Sequence, residues 1–376
     1  MAVITGQRFT YSDQVNEKID MSSALDKLKP TDTPLLLRIG RDSTRDDVTA
    51  VKHEWQEDDV RGTTSLVTNN PLAAAAVTLG VTTGDGVKFR DRDILKLEDE
   101  LVLVTAVATD NLTITRAYGG STDVAHAQNV VVTLIAPALI QGSDLLGARS
   151  TTKTGKFNYT QIFEEEVRVT ATMQATAKYT RQNDPEYQIG SQLEILGVNM
   201  ERTLLFGRKV APSAGVAGSM DGIQNVISTN VYNKASAALT QSFLEDAMQA
   251  VWDAGGNPNL MVVNATQQRR INTFLDGYRE ADYEDVVLGS QVRRYKTNFG
   301  TVDILLDRHM PLAEVWILSA DNIGFGPLQG RALATEKMAP VSREYDVWQM
   351  SGEYTAEVRL EKSHARIYGL ATTGLF

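Results

Sequence analysis

The residues that could carry chemistry are few, and their spacing joins none of them into a working set. Four histidines are present, His53, His126, His309 and His364, and no cysteine. A zinc or iron centre would need two histidines at ligand spacing, or cysteines to complete a quartet. Neither a His-Glu-x-x-His motif nor a facial triad occurs, so each histidine reads as a lone hydrogen-bonding residue of a strand or turn. Acidic clusters lie at 91–93, 98–100 and 164–166, without the alternating aspartates, glycine and terminal glutamate of a calcium loop. Gly324, Gly326 and Gly330 imitate a dinucleotide loop, but the third glycine comes one place late, Pro327 intrudes and no helix follows. There is no Gly-x-Ser-x-Gly elbow and no phosphate-binding loop. No catalytic, cofactor-binding or metal-binding residue is therefore assigned, no cofactor is expected, and the chain is expected not to be an enzyme.

Composition bounds the partners. The 376 residues, 42% hydrophobic and 22% charged, are enough for two to three domains with a sizeable core. No stretch reaches the roughly 18 apolar residues of a membrane span, and the first residues lack the basic start and apolar run of a secretory signal. A net charge of −10 makes the chain a poor general binder of nucleic acid, whose affinity comes from Lys and Arg on phosphates. It can still surround nucleic acid, because confinement needs a closed wall and not an attractive one.

The elements follow from local pattern. Residues 1–35 carry sparse apolar positions, with a short helix expected near 22–28 that stops before Lys29-Pro30. This segment reads either as a frayed terminus or as an arm that orders on a neighbour, since ~30 extended residues reach on the order of 100 Å. Residues 41–67 mix charges of both signs around a strand near 48–55, which fits a solvated face or an exposed hairpin. Residues 77–136 show short apolar runs punctuated by Glu98-Asp99, Thr109-Asp110-Asn111 and Tyr118-Gly119-Gly120, the pattern of a small barrel or sandwich. Flanked by Asn69-Asn70-Pro71 and Pro137, this module reads as an insertion near the tip of a hairpin with legs at 41–67 and 157–178.

Asp184-Pro185-Glu186 then opens a helix with apolar residues at Ile189, Leu193, Leu196, Met200 and Leu204, stopped by Gly207, for a rod of roughly 33–36 Å. Residues 211–330 read as a compact α/β domain. A capping box at Ser242 and Glu245 opens one helix and Thr266 caps another. Strands are expected at 260–263 and 315–318, with a hairpin at Asn298-Phe299-Gly300. Near the C-terminus Tyr354, Ala356, Val358 and Leu360 alternate with polar residues, and a last strand covers 365–370.

Taken in order, several segments match one family: Pro30-Thr31-Asp32-Thr33-Pro34-Leu35-Leu36, Asn158-Tyr159-Thr160-Gln161-Ile162-Phe163, residues 194–207, Gly218-Ser219-Met220-Asp221-Gly222-Ile223, residues 263–271, and 352–358 with His364-Ala365. The chain resembles the major capsid proteins of tailed bacteriophages, an α+β architecture known as the Hong Kong 97 capsid fold, which encapsulin nanocompartments share. The resemblance covers nearly the whole chain apart from 77–136, and its strength lies in the order of the segments.

It implies an N-terminal arm at 1–35, an E-loop hairpin at 36–76 and 137–180 carrying the inserted β module 77–136, a peripheral-domain spine helix at 181–210, an axial domain at 211–330 and return strands of the peripheral domain at 331–376. The implied partner is the chain itself, in hexamers and pentamers of an icosahedral shell around double-stranded DNA, bound without sequence specificity and away from any membrane. Scaffold, portal and decoration proteins are further partners such a shell can take. The implied location is the virion, after assembly in the host cytoplasm; the alternative is an encapsulin-like compartment. Two family features find no match: nothing long and helical precedes the arm as a cleaved scaffold would, and no Lys–Asn crosslinking pair can be assigned.

Overall fold

A computed structural model describes residues 32–40, 44, 47–58, 62–142, 153–175, 184–274, 294–338 and 344–373. The expected helix near 22–28 and most of the arm 1–35 lie outside the described residues. The chain divides into two compact units, one made of 1–55 and 156–376, the other of 56–155.

In the larger unit the signals read at 184–207 produce the helix Asp184–Phe206. Leu196, Met200, Leu204 and Leu205 are buried and pack with Phe163, Val167 and Val169 of the strand Gln161–Thr170. That strand runs antiparallel to the long strand Tyr345–Val358, from Thr170 opposite Tyr345 to Gln161 opposite Tyr354. Ile323–Pro327 and Ala334–Lys337 pair along the other edge of the long strand and complete a four-stranded sheet.

A second, six-stranded sheet has the order Val231–Ala237, Ala365–Leu370, Val315–Leu318, Leu260–Val263, Gly300–Leu306 and Arg294–Thr297. Its central strands are apolar at every position because both faces are covered. Met261, Val263, Val315 and Ile317 face the helices Gln241–Asp253 and Ala265–Phe274, while Leu260, Val262, Trp316 and Leu318 belong to the core around the long helix. The expected hairpin at Asn298-Phe299-Gly300 joins Arg294–Thr297 to Gly300–Leu306.

The second unit is a six-stranded antiparallel sheet, ordered Thr64–Leu66, Val131–Pro137, Asp93–Leu97, Glu100–Ala108, Asn111–Thr115 and Thr78–Gly80. Leu95, Leu97, Val102, Val104, Leu112, Ile114 and Val132 make its core.

Several boundaries differ from the sequence reading. The sheet takes in Thr64–Leu66 and its core takes in Val67 and Leu72, so the unit begins well before residue 77; Asn69-Asn70-Pro71 is a turn within the unit and not its edge. Among the described residues of the supposed hairpin legs, only Lys52–Glu57 and Thr154–Tyr159 pair as strands with each other. Gln161–Thr170 spends its hydrogen bonds on Tyr345–Val358 instead. Residues 331–376 do not return to one sheet. Leu360, at φ 51°, and the turn Glu361–Ser363 carry the chain from the four-stranded sheet into the six-stranded one. Ile323–Pro327, grouped with 211–330 by sequence, pairs with Tyr345–Val358. The polar and apolar alternation expected at 354–360 gives way to burial of every residue from 352 to 358.

Candidate functional site

The segments that carry the family resemblance are far apart in the chain, and buried polar side chains bring them together. Asn158 is the clearest case. Its amide nitrogen donates to the carbonyls of Ala356 (2.7 Å) and Asp221 (3.2 Å), and its oxygen accepts from the N–H groups of Asp221 (2.8 Å) and Tyr159 (2.9 Å). One saturated side chain thereby ties three of the matched segments. Beside it Thr160 donates to Glu353 (2.6 Å), Thr355 donates to the Tyr159 carbonyl (2.9 Å), and Gln161 accepts from the N–H of Met220 (3.2 Å).

The end of the long helix meets the same segments. Gly222 N–H donates to the Gly207 carbonyl (2.9 Å), and Asn225 donates to that carbonyl as well. A Cβ on Gly222 would stand 2.6 Å from Gly207 N and 2.8 Å from the Thr203 carbonyl, so only glycine lets the backbones approach this closely.

The short helix Pro34–Ile39 docks on the long helix through Glu201. Its carboxylate accepts the N–H groups of Leu35 (2.9 Å) and Leu36 (2.8 Å), two donors that a helix start leaves without an internal partner. Glu201 is fully buried, and burial pushes its pKa up to about 7. The two N–H bonds pull the other way, and the charge of Asp307 adds to the rise. Outside this contact, Asp32 pairs with Arg308 at 2.9 Å, and His309 Nε2 lies 3.1 Å from the Asp32 carbonyl.

In the second unit Glu100 is equally enclosed but held by a guanidinium. Arg116 grips it with two hydrogen bonds (2.7 and 2.6 Å), His126 Nε2 lies 2.9 Å away, and the N–H of Ala117 donates at 3.1 Å. Burial acts to raise the Glu100 pKa, but these partners outweigh it and hold the group at about 2. His126 Nδ1 stands 2.7 Å from Glu98, so the ring sits between two carboxylates.

The four histidines, each lone in the sequence reading, have separate surroundings. His53 lies against Trp55 with Glu357 3.7 Å away, and His126 and His309 are placed as above. His364 is buried, and burial lowers its pKa to about 4, so it is neutral. Its Nδ1 accepts from the Ser319 N–H and its Nε2 therefore carries the proton, donating to the Arg359 carbonyl (3.2 Å each). Of the acidic clusters, 98–100 is joined by His126 and Arg116, which the sequence reading had not connected. No group of three or more His, Cys, Asp or Glu placed to hold a metal ion occurs among the described residues. Among them, too, no helix is long and apolar enough to cross a membrane.

Two caps are corrected. Thr240, not Ser242, caps Gln241–Asp253, accepting from Phe243 N–H at 3.3 Å, because Thr240 is where the extended backbone ends. Asn264, not Thr266, stands before Ala265–Phe274. Its amide donates to the Met310 carbonyl (2.8 Å), and its own carbonyl receives the N–H of Gln268.

Glu201 and Glu100 were missed, and each left a trace. Glu201 sits next to Met200 and within one turn of Leu204 and Leu205 on the buried side of the helix, and Glu100 is in phase with Val102 and Val104. A charge at an inward position needs a partner, but the pattern does not name it.

A family model described as SU10 major capsid protein matches residues 3–371. No curated protein matches the sequence. Among solved structures, the capsid of cyanophage A-1(L) is similar with a TM-score of 0.56 at 9% identity, covering 96% of this chain and 99% of that one. The capsid of the empty GTA particle gives 0.55 at 9% identity, over 95% and 96%. That of Microbacterium phage Oxtober96 gives 0.51 at 11% identity, over 96% and 98%. At such identities the likeness is one of fold, the Hong Kong 97 capsid fold, and it bears out the resemblance drawn from the ordered segments. With its family matched from residue 3 to residue 371, the chain belongs to the SU10 major capsid protein family.

Proposed function

We propose that many copies of this chain close into the icosahedral shell of a tailed phage, in rings of five and six, around double-stranded DNA. The match to a major capsid family over residues 3–371 carries this reading. A net charge of −10 suits a wall that confines DNA without gripping it. Head-to-tail contact between unlike surfaces of identical subunits closes into rings, the geometry such a shell requires.

Within this reading residues 1–35 act as an arm on a neighbour and the helix Asp184–Phe206 is the spine of the peripheral domain. The sheet containing Leu260–Val263 is the core of the axial domain. The unit 56–155 belongs to the E-loop region. Scaffold, portal and decoration proteins are further partners of such a shell. The subunit works by contact and carries out no reaction. The buried anchors support this role, since Asn158, Glu201 and Glu100 have their polar atoms turned to the protein's own backbone and side chains.

The test is to express the full chain and analyse it by size and negative-stain microscopy. Icosahedral particles of megadalton size are the expected outcome. A chain that stays monomeric under every assembly condition, or that turns over a substrate as a monomer, would overturn the reading.

A further inference from the structure

The sheets of the larger unit end in edges of unequal openness. Arg294–Thr297 is only four residues long, and Val231–Ala237 shifts register between Asn233 and Ala237, so neither offers a long regular row of backbone groups. Gln161–Thr170 does. Both backbone groups of Glu353 turn toward 328–331, its N–H to the Arg331 carbonyl (2.9 Å) and its carbonyl to the Leu328 N–H (2.8 Å). Ile162 stands opposite Glu353 in a non-hydrogen-bonded pair, so its own N–H and carbonyl point away from the long strand. Register is unbroken, and the same holds for Glu164, Glu166 and Arg168. Thr160 has the same phase, its N–H leaving on that side to reach the Val51 carbonyl (2.9 Å). Among the described residues, the backbone groups of Ile162, Glu164, Glu166 and Arg168 meet no hydrogen-bond partner.

An open groove of about 540 Å³ lies between this edge and the long helix, with Ile162, Leu196, Arg202, Thr203 and Phe206 in its lining. A strand laid along the edge would turn alternate residues into the groove and set the others beside Ile162, which is 55% exposed, and Glu164. The described side-chain partner of Glu164 is the neutral Gln349 (2.8 Å), so this acid has room for a cation.

The chain's own N-terminal residues suit both faces and enter the fold beside the groove. The Asp32 carbonyl lies 3.1 Å from His309 Nε2, and Arg202 of the groove donates to His309 Nδ1 (3.4 Å). In Arg8-Phe9-Thr10-Tyr11 aromatic residues alternate with polar ones, and no acid precedes Asp13. Residues 275–293 carry five acids against two arginines and would meet Glu164 and Glu166 with like charge. Residues 13–31 reach roughly 60 Å when extended, ample for a return to the groove. We propose that residues 8–11 dock on the free edge of Gln161–Thr170 in the same chain, as an antiparallel strand with Thr10 beside Ile162 and Arg8 beside Glu164. Phe9 and Tyr11 then fill the groove. The tether makes the contact intramolecular, with an effective concentration of about millimolar order. A segment seated on its own subunit must be released before it can serve a neighbour. That release step rests on the shell reading; the docking does not.

The chain has no cysteine, so an introduced pair reports position cleanly. In the full-length protein, Thr10→Cys with Ile162→Cys should be joined by a short bismaleimide within one chain. The product should run as a monomer on a denaturing gel, with the two sites linked in its digest by mass spectrometry. Products of dimer or ladder size place the segment on another copy and overturn the proposal, as does the absence of any crosslink. Hydrogen exchange gives a second readout without cysteines. Phe9→Asp with Tyr11→Asp should speed exchange of the Ile162 and Glu164 amides by about tenfold, the scale of one net hydrogen bond, and leave Leu260–Val263 unchanged. Arg8→Glu should have a smaller effect, reversed by adding Glu164→Arg. Equal exchange of the two edge amides in the unmodified and doubly substituted chains overturns the docking.

Discussion

The larger unit buries Glu201 almost completely and the smaller unit does the same to Glu100, and the two acids are pushed in opposite directions, to about 7 and to about 2. Burial acts alike on both. The difference lies in the company: Glu201 meets two neutral N–H donors and the charge of Asp307, whereas Glu100 meets a bidentate guanidinium and an imidazole. Neutral donors offset part of the desolvation of a carboxylate, while a paired cation offsets more than all of it. The same residue type is thus pushed toward its neutral form in one unit and held charged in the other.

The largest test of this contrast removes the cation. Arg116→Ala leaves Glu100 buried with the His126 ring and backbone N–H donors but without its guanidinium, which should cost about 3–5 kcal/mol. The loss should appear as collapsed exchange protection across Asp93–Leu97 and Glu100–Ala108, with Leu260–Val263 unaffected. A cost below about 1 kcal/mol would mean that Arg116 is incidental to the enclosure of Glu100.

Acid gives a smaller and opposite test. The Glu100 pKa is depressed, so its contribution is complete above the ordinary value of 4.5 and is lost as pH falls toward about 2. The smaller unit should weaken by on the order of 2 kcal/mol over that interval. The docked helix Pro34–Ile39 should hold, because Glu201 keeps its proton throughout. Exchange measured stepwise from pH 5 to pH 2.5 would show the two regions parting, and joint loss would erase the distinction.

The smallest effect sets the scale for a neutral acceptor. Thr240→Ala removes a hydroxyl that caps a single N–H and should cost about 1 kcal/mol by denaturant unfolding. Ser242→Ala, at the position the sequence pattern favoured, should cost less. A reversed order would restore the capping box at Ser242.

Much of the local structure could be read from residues alone. The helix Asp184–Phe206 starts at the expected Asp-Pro pair and ends at the expected glycine. Leu260–Val263, Val315–Leu318 and the turn at Asn298-Phe299-Gly300 also fall where pattern put them. The caps lie two positions from the expected ones, since Thr240 and Ser242 are both good capping residues and only the backbone path separates them. The anchors were harder still. Asn158 looked like one residue of a matched segment, and its four hydrogen bonds to Asp221, Ala356 and Tyr159 have no local signature.

The sequence by itself determined where helices and strands form, because periodicity, caps and turn residues act over a few neighbouring positions. The order of its segments was also enough to point to the family. Only the tertiary structure decided which sheet each strand joins, sending Tyr345–Val358 to one and Ala365–Leu370 to the other across a six-residue turn. It also decided the charge states of the buried acids. Leu35 and Leu36 meet Glu201 across separations of 166 and 165 residues, and the protonation of a carboxyl group depends on what surrounds it in space.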